Sequence, residues 1–204
     1  MPDTLTSPRP TTTTPRWLEL VGTRSETQSG AHVEKLPDVQ ALTEWLDLHA
    51  LKTEAEPTPA DLASVRHVRN ALRELTIARV QGRTAHPQAI DTVNAVIARA
   101  AKTARHIVVP DPIEPGRLRR RVPDVDAALT LIVEETVDAL SSERAADLRE
   151  CEELGCGEIF VDAAGRRRWC SSLTCGTRAR VRAHRARKAS GTSGRGPADH
   201  AVDA

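Results

Sequence analysis

The chain has 204 residues, of which 39% are hydrophobic, 28% are charged and only 2% are aromatic. This length suits one domain of ordinary size plus a small module, and the scarcity of aromatic rings excludes a nucleic-acid surface built on base stacking. Lysine and arginine total 29 against 28 aspartate and glutamate, a net charge of +1. The chain as a whole is therefore neither a polybasic nor an acidic protein.

The N-terminal residues carry no export signal. Residues 1–15 include six Thr and four Pro, without the apolar run of a signal peptide. No other apolar run approaches the ~20 residues of a membrane helix. We expect a cytoplasmic protein that does not contact membranes, with disordered tails at residues 1–15 and 189–204.

Helices dominate the predicted body, which spans residues 16–146. Residues 17–21 (WLELV) alternate in polarity and predict a short strand. Caps and apolar spacings of three and four predict four helices, beginning at Asp38, Thr58, about His86 and Asp124.

Two of these helices carry specific signals. Thr58, Pro59 and Asp61 form a capping-box start, and Gly82 ends that helix. The third helix is predicted to turn four side chains inward: Ile90, Val93, Ile97 and Ala100. Between the third and fourth helices, residues 107–109 and 118–122 predict two more strands. The expected fold of this body is α+β and mainly helical: a helical array with a small antiparallel sheet.

The four cysteines form two equal pairs near the C-terminal end. Cys151, Cys156, Cys170 and Cys175 follow the pattern C-x4-C-x13-C-x4-C. In a reducing compartment such a cluster favours metal ligands or free thiols over disulfides. Two short loops joined by a hairpin suit tetrahedral zinc, and four thiolates leave no open position for a substrate. We therefore predict one structural zinc ion within a finger at residues 147–188, with buried thiols as the alternative.

A hairpin and a helix complete the predicted finger, so the helical body is expected to be followed by a treble-clef-like zinc finger. Gly165 marks a turn between residues 159–161 and 167–169, which should pair. Ser171 or Ser172 is the predicted N-cap of a helix that ends near Lys188. A narrow alanine face on this helix (Ala179, Ala183 and Ala186) could rest on the hairpin or the body.

Charge is strongly segregated along the chain. Residues 1–162 hold 19 basic and 26 acidic side chains, a net charge of −7, whereas residues 163–188 hold nine basic and no acidic ones. Guanidinium groups match phosphate oxygens and guanine edges. The predicted DNA-contacting residues are Arg166, Arg167, Arg168, Arg178, Arg180, Arg182, Arg185, Arg187 and Lys188. A docking site for a protein partner or the body, and a merely solvated helix, are the alternatives.

The finger segment resembles the CGNR zinc-finger family. The matching features are the two cysteine pairs, Phe160, Asp162, the RRWCS run at 167–171, and Cys175, Gly176 and Arg178 of the signature tetrapeptide. Thr177 replaces the family's Asn. Residues 16–150 resemble the ABATE domain that precedes this finger, with Gly22 in place of an Asn. The resemblance implies a zinc-binding regulator of transcription in the stress response.

Other functions have weaker signals. GxSxG, HExxH, P-loop and GxGxxG motifs are absent from the sequence, so we expect no enzymatic activity. A body that senses a small molecule would use Arg24, Trp17 and Trp45 as lining residues. The alternative places both tryptophans in the core and leaves the arginine exposed.

Overall fold

A computed structural model describes residues 14–26, 32–103, 108–110 and 118–192. The predicted tails therefore lie mostly outside the described residues. Six helices and six strands occur in the described ranges: α1 Arg16–Val21, β1 Arg24–Glu26, β2 His32–Glu34, α2 Val39–Leu48, α3 Pro59–Gln81, α4 Pro87–Thr103, β3 Val108–Pro110, β4 Leu118–Arg120, α5 Val125–Ser141, β5 Leu148–Glu150, β6 Ile159–Val161 and α6 Cys175–Thr192. A 3-10 turn, Glu143–Asp147, joins α5 to β5.

The core lies where α3 packs against α1, α4 and α5. Its most deeply buried members are leucine, isoleucine and valine, with Leu20, Leu42, Leu72 and Val133 fully buried. The mainly helical α+β class is confirmed. None of the described helices is both long and apolar enough to cross a membrane.

The predicted helix starts are confirmed by their caps. The Thr58 hydroxyl accepts the Asp61 N–H, and the Asp61 carboxylate accepts the Thr58 N–H at 2.8 Å, which completes the capping box. Gly82 ends α3 with φ of 64°, a left-handed conformation that glycine adopts without a steric penalty. Asp38 and Asp124 accept N–H groups at the starts of α2 and α5.

The strand predicted at residues 17–21 is wrong, because this segment forms α1. Trp17, Leu18, Leu20 and Val21 are all buried, and their spacing of i, i+1, i+3 and i+4 covers one face of a helical turn. A strand would have placed Glu19 on the same face as Trp17. Packing of α1 against α3 and α5 thus decides the structure.

The inward face predicted for the third helix is only half right. Val93 and Ala100 are buried on α4, together with Ala89 and Val96. Ile90 and Ile97 are instead 43% and 38% exposed. Alanine and valine side chains therefore form the contact surface of α4, and the two isoleucines lie beside it.

Three two-stranded antiparallel sheets surround the helices. In the first, Arg24 of β1 pairs with Glu34 of β2. The second pairs Val108 with Arg120, which confirms two strands near the predicted positions; residue 107 lies outside the described part. The third sheet pairs β5 with β6, with Leu148 opposite Val161.

The pairing of β6 differs from the sequence prediction. Residues 159–161 do not pair with residues 167–169, as expected, but with β5, just before Cys151. Leu148 and Ile159 are buried in the same hydrophobic core as the helices. The hairpin is held by this apolar contact, which an arginine-rich strand at 167–169 could not supply.

Candidate metal centre and basic helix

The first knuckle, residues 151–156, begins where β5 ends. The Cys156 N–H donates to the Glu153 carbonyl at 3.0 Å, and the Cys151 N–H donates to the Glu158 carbonyl at 2.9 Å. Gly155 and Gly157 have φ of 71° and 58°, a left-handed conformation that favours glycine. These turns bring Cys156 back towards Cys151.

The second knuckle, residues 170–175, leads into the basic helix α6. The Ser171 hydroxyl accepts the N–H of Thr174 at 3.2 Å, and the Ser171 carbonyl accepts the N–H of Gly176 at 2.9 Å. Cys175 is the first residue of α6. The helix continues to Thr192, four residues beyond the predicted end.

The two knuckles bring all four cysteine sulfurs together. The four Sγ atoms lie within 4.8 Å of one another. Three of the separations are 3.7 Å for Cys156–Cys170, 3.6 Å for Cys170–Cys175 and 3.6 Å for Cys156–Cys175. A tetrahedral zinc with bonds of ~2.3 Å requires sulfurs about 3.8 Å apart. The spacing therefore fits one zinc ion with four thiolate ligands.

Without a bound cation, the four neighbouring thiols cannot all ionise. Burial opposes ionisation of Cys151, but N–H groups of Cys170 and Glu153 favour its thiolate, so the net effect lowers the pKa of Cys151. Burial, together with the neighbouring cysteines, raises the pKa of Cys156 to about 12 and also raises the pKa of Cys170. Several thiolates in so small a volume repel one another unless a dication compensates them.

A small apolar cluster supports the metal site. Phe160 is 7% exposed and packs with the cysteines and Trp169. A Cβ on Gly176 would lie 3.1 Å from a Trp169 ring atom, so the helix start approaches the indole closely. The buried carboxylate of Asp162 accepts the Arg167 N–H at 2.7 Å. Phe160, Asp162 and Trp169 thus have structural roles around the zinc ligands.

Several of the predicted DNA-contacting residues have partners within the finger. Arg182 forms a two-pronged ion pair with the buried carboxylate of Glu153. The Arg168 guanidinium lies 2.7 Å from the Glu152 carboxylate. Arg167 lies over the Phe160 ring at 4.6 Å. These side chains brace the two knuckles.

The remaining arginines face solvent. No ion pair within the described part of the chain involves four exposed arginines: Arg166, Arg178, Arg185 and Arg187. Arg180 is exposed and donates to the Ser172 carbonyl and the Thr177 hydroxyl. Lys188 is exposed on α6.

The end of the basic helix projects from the finger. Residues 183–190 are all exposed, so the alanine face does not rest on the body as suggested. Of its three alanines only Ala179 is half-buried. The last turns of α6 therefore present arginine on a segment that no described residue covers.

Of the three candidate ligand-binding residues, only Arg24 lines one of the hollows beside α3. Trp17 is 3% exposed within the core, whereas Trp45 is half-buried and contacts the His49 ring at 4.2 Å between centroids. Both tryptophans pack in or against the hydrophobic core. The residues that share a hollow with Arg24 come from β1 and α3 instead.

The finger and the helical body meet through residues that the sequence did not single out. Arg73 of α3 donates to the Gly157 carbonyl at 2.7 Å. At Gly22 a Cβ would lie 2.6 Å from a Glu158 carboxylate oxygen, so this glycine leaves room for the carboxylate. Burial raises the pKa of Glu158, against the opposing influence of Lys35 and Arg73. Only knowledge of the tertiary contacts could have found this junction.

Family models match both parts of this architecture. Residues 14–143 match the ABATE model, described as "Putative stress-induced transcription regulator". The chain belongs to the ABATE family. Residues 148–188 match the CGNR zinc finger, which confirms the resemblance drawn from the cysteine pattern. A comparison with curated proteins finds no match.

The finger match and the sulfur geometry together identify the cofactor. This ABATE protein has one structural zinc ion site, formed by Cys151, Cys156, Cys170 and Cys175. Thr177 occupies the tetrapeptide position at which the sequence departs from the family, and its hydroxyl accepts a hydrogen bond from Arg180 at 3.1 Å. The substitution therefore keeps a polar contact inside α6.

Proposed function

We propose that this ABATE protein regulates transcription by binding DNA through the exposed arginines of α6 and of the segment before the second knuckle. The ABATE and CGNR descriptions name a regulator and a zinc finger, and neither names a catalytic activity. The proposal places the chain in the cytoplasm and assigns it no enzymatic step.

One observation carries this proposal: the C-terminal part of α6 is cationic and uncovered. Residues 183–190 are all exposed, and at 1.5 Å per residue they extend ~12 Å. The B-DNA major groove is ~12 Å wide and admits a helix. Arg178, Arg185 and Arg187 lie on this helix without a carboxylate partner in the described ranges. Guanidinium groups in such a position can bind phosphates and base edges.

The test compares two double variants of the zinc-loaded chain. Arg178→Gln/Arg185→Gln removes two exposed charges from α6, and Arg79→Gln/Arg144→Gln removes two exposed charges from the body. We expect the affinity of the wild type for duplex DNA to fall as the salt concentration rises. A plot of the logarithm of the binding constant against the logarithm of the salt concentration should have a slope of about −0.9 per phosphate contacted. The α6 variant should bind more weakly and lose about 1.8 from that slope. Affinity that does not change with salt, or equal losses in both variants, would contradict DNA binding by α6.

A protein-interaction module is the second candidate function. Leu154 and Leu173 occupy the two knuckles and are 67% and 85% exposed. The two leucines add apolar surface on the two knuckles, which a protein partner would remove from water. A partner that is retained after nuclease treatment and lost on Leu154→Ser/Leu173→Ser would favour this function.

A further inference from the structure

A polar groove runs along the exposed face of α3. Residues on one face of α3 form its floor, and residues of β1 and of the start of α4 form its walls. One hollow of about 500 Å³ is lined by His67, Asn70, Ala71, Glu74, His86, Gln88, Ala89 and Thr92. A second of about 230 Å³ is lined by Arg24, Ser25, Asn70, Arg73, Glu74 and Ile77. The two hollows share Asn70 and Glu74, so they form one groove, which we call the α3 groove.

The carboxylate and the amide oxygen on the floor of the α3 groove accept hydrogen bonds from protein donors. The Glu74 carboxylate is already occupied, because it accepts two hydrogen bonds from Arg83, at 2.7 and 2.9 Å, and a third from the His86 N–H at 3.0 Å. The Asn70 side-chain oxygen accepts from Arg24 at 3.3 Å. The acceptors on the floor are therefore committed to protein donors.

Two guanidinium groups give the groove its charge. Among the side chains that the structure describes, neither Arg24 nor Arg73 forms an ion pair with a carboxylate. Both are only partly exposed, which strengthens their attraction for an anion relative to a fully solvated arginine. Ser25, Gln88 and Thr92 add neutral hydrogen-bonding groups along the walls.

We propose that the α3 groove binds a small polar anion, with its phosphate or carboxylate group at Arg24 and Arg73 and its neutral polar part towards His67 and Thr92. The volumes of the two hollows suit a metabolite-sized molecule. Arg24 was a candidate ligand-binding residue from the sequence, but its partners in this site are residues of α3 and α4 rather than the tryptophans.

The position of Arg73 places this site next to the zinc finger. The Arg73 guanidinium also donates to the Gly157 carbonyl, and Gly157 directly follows the zinc ligand Cys156. An anion bound at Arg73 would thus contact the same side chain that holds the first knuckle. Binding in the groove does not require that the finger contact DNA, and the site is tested without DNA.

The experiment titrates the zinc-loaded full-length chain with inorganic phosphate and, separately, with citrate, while backbone amide shifts are followed by NMR. We expect saturable shifts at Ser25, Asn70 and Thr92 with at least one probe. Arg24→Gln and Asn70→Leu should each weaken binding about tenfold. The control Arg79→Gln removes an exposed arginine of α3 that does not line the groove and should bind as the wild type does. Preference for phosphate assigns a phosphorylated ligand, and preference for citrate a carboxylate.

Three results would overturn the proposal. These are the absence of saturable shifts with both probes, equal binding by wild type and both groove variants, and shifts confined to α6. Amide spectra of each variant show directly whether the body is folded, so a loss of binding through unfolding is recognised. Because DNA is absent, failure here leaves the DNA-binding proposal unaffected, and failure of DNA binding leaves the groove result unaffected.

Discussion

The guanidinium of Arg182 on α6 holds the carboxylate of Glu153 in the first knuckle. Glu153 is 2% exposed, and Arg182 donates to both of its oxygens, with one contact at 3.0 Å. The pair joins the helix that begins with the fourth zinc ligand to the loop that contains the first two. An arginine of the basic helix therefore belongs to the finger's own structure.

Arg182→Gln should weaken zinc binding, because it removes the guanidinium that neutralises the buried Glu153 carboxylate. The matched control is Arg178→Gln, one turn earlier on the same helix, whose side chain is exposed. Competition with a zinc chelator measures the effect: we expect faster metal loss from the Arg182 variant and wild-type behaviour from the Arg178 variant. Equal metal retention in all three proteins would show that the ion pair does not support the finger.

Metal removal should disrupt the finger while the helical body remains folded. Trp169 packs against the cysteines, whereas Trp17 lies in the body core. Elemental analysis should find about one zinc per chain. Chelation or Cys170→Ser should shift the fluorescence of Trp169 and leave most helical circular dichroism intact. Ser172→Ala, an exposed position in the same knuckle, serves as the control and should retain zinc.

The zinc site could be predicted from sequence because its information is local. Cysteine spacing and flanking glycines define two knuckles within 25 residues, and caps such as Thr58 and Asp124 act within one helical turn. The segment from Trp17 to Val21 could not be assigned in this way, since its conformation depends on packing against α3 and α5. The same holds for β5, whose pairing is fixed by the burial of Leu148 and Ile159.

The division of the arginines into structural and exposed groups also required the structure. A count of charges along the sequence does not distinguish Arg168, Arg182 and Arg185 from one another. The fold places Glu152 beside the first and Glu153 beside the second, from positions 16 and 29 residues away in sequence. Arg185 has no such neighbour among the described residues. Long-range pairing of this kind leaves no periodic signal in the chain.

Arg69→Met should destabilise the helical body by about 2 kcal/mol, because it removes the charge-assisted hydrogen bonds of a buried guanidinium. Arg66, 3.8 Å from the Glu34 carboxylate, still pairs with Glu34 in this variant. Arg69 is 2% exposed and donates to both oxygens of Glu34 at 2.7 Å, and to the Thr23 hydroxyl at 3.1 Å. Chemical denaturation measures the free energy of unfolding. Arg79→Gln, on the exposed side of α3, should stay within about 0.5 kcal/mol of wild type.

The double variant Glu34→Gln/Arg69→Met distinguishes charge from packing. It removes both partners of the Arg69–Glu34 ion pair, so its loss of stability should be smaller than the sum of the losses in the two single variants. If the two losses simply add, the effect of Arg69→Met arises from packing around that side chain rather than from the ion pair.

The Glu74 carboxyl should titrate at a much lower pH than the carboxyl of an ordinary glutamate. Hydrogen bonds from Arg83 and from the His86 N–H lower the pKa of Glu74 from 4.5 to about 2. A depressed carboxyl pKa adds stability above the unfolded value, and this stability is lost as the pH falls from about 4.5 through about 2. NMR titration of the side-chain carboxyl should give a midpoint near 2 in wild type and a higher one in Arg83→Gln. An unchanged midpoint in that variant would contradict the assigned cause.

The same linkage predicts a pH-dependent difference in stability. Glu74→Gln should be less stable than wild type at neutral pH, and the difference should shrink as the pH falls through the window from 4.5 to 2. Asp91→Asn, an exposed position on α4, is the control. Comparing each variant with wild type at the same pH cancels the effect of acid on the zinc ligands.

Gly157→Ala should weaken the finger more than Gly165→Ala does. Both glycines have left-handed φ, of 58° and 63°, so each alanine costs about 1 kcal/mol in backbone strain. Only at Gly157 would the added Cβ meet another group, the Arg73 guanidinium at 3.0 Å, whereas at Gly165 nothing lies within 4 Å. Displacing Arg73 would also lose its hydrogen bond to the Gly157 carbonyl, which adds about 1 kcal/mol.

Chelator competition measures the zinc affinity of both variants. In an Arg73→Ala background the two substitutions should have equal effects, because the Arg73 contact that makes Gly157 different from Gly165 is gone. A persistent difference would show that Arg73 does not connect the body to the first knuckle.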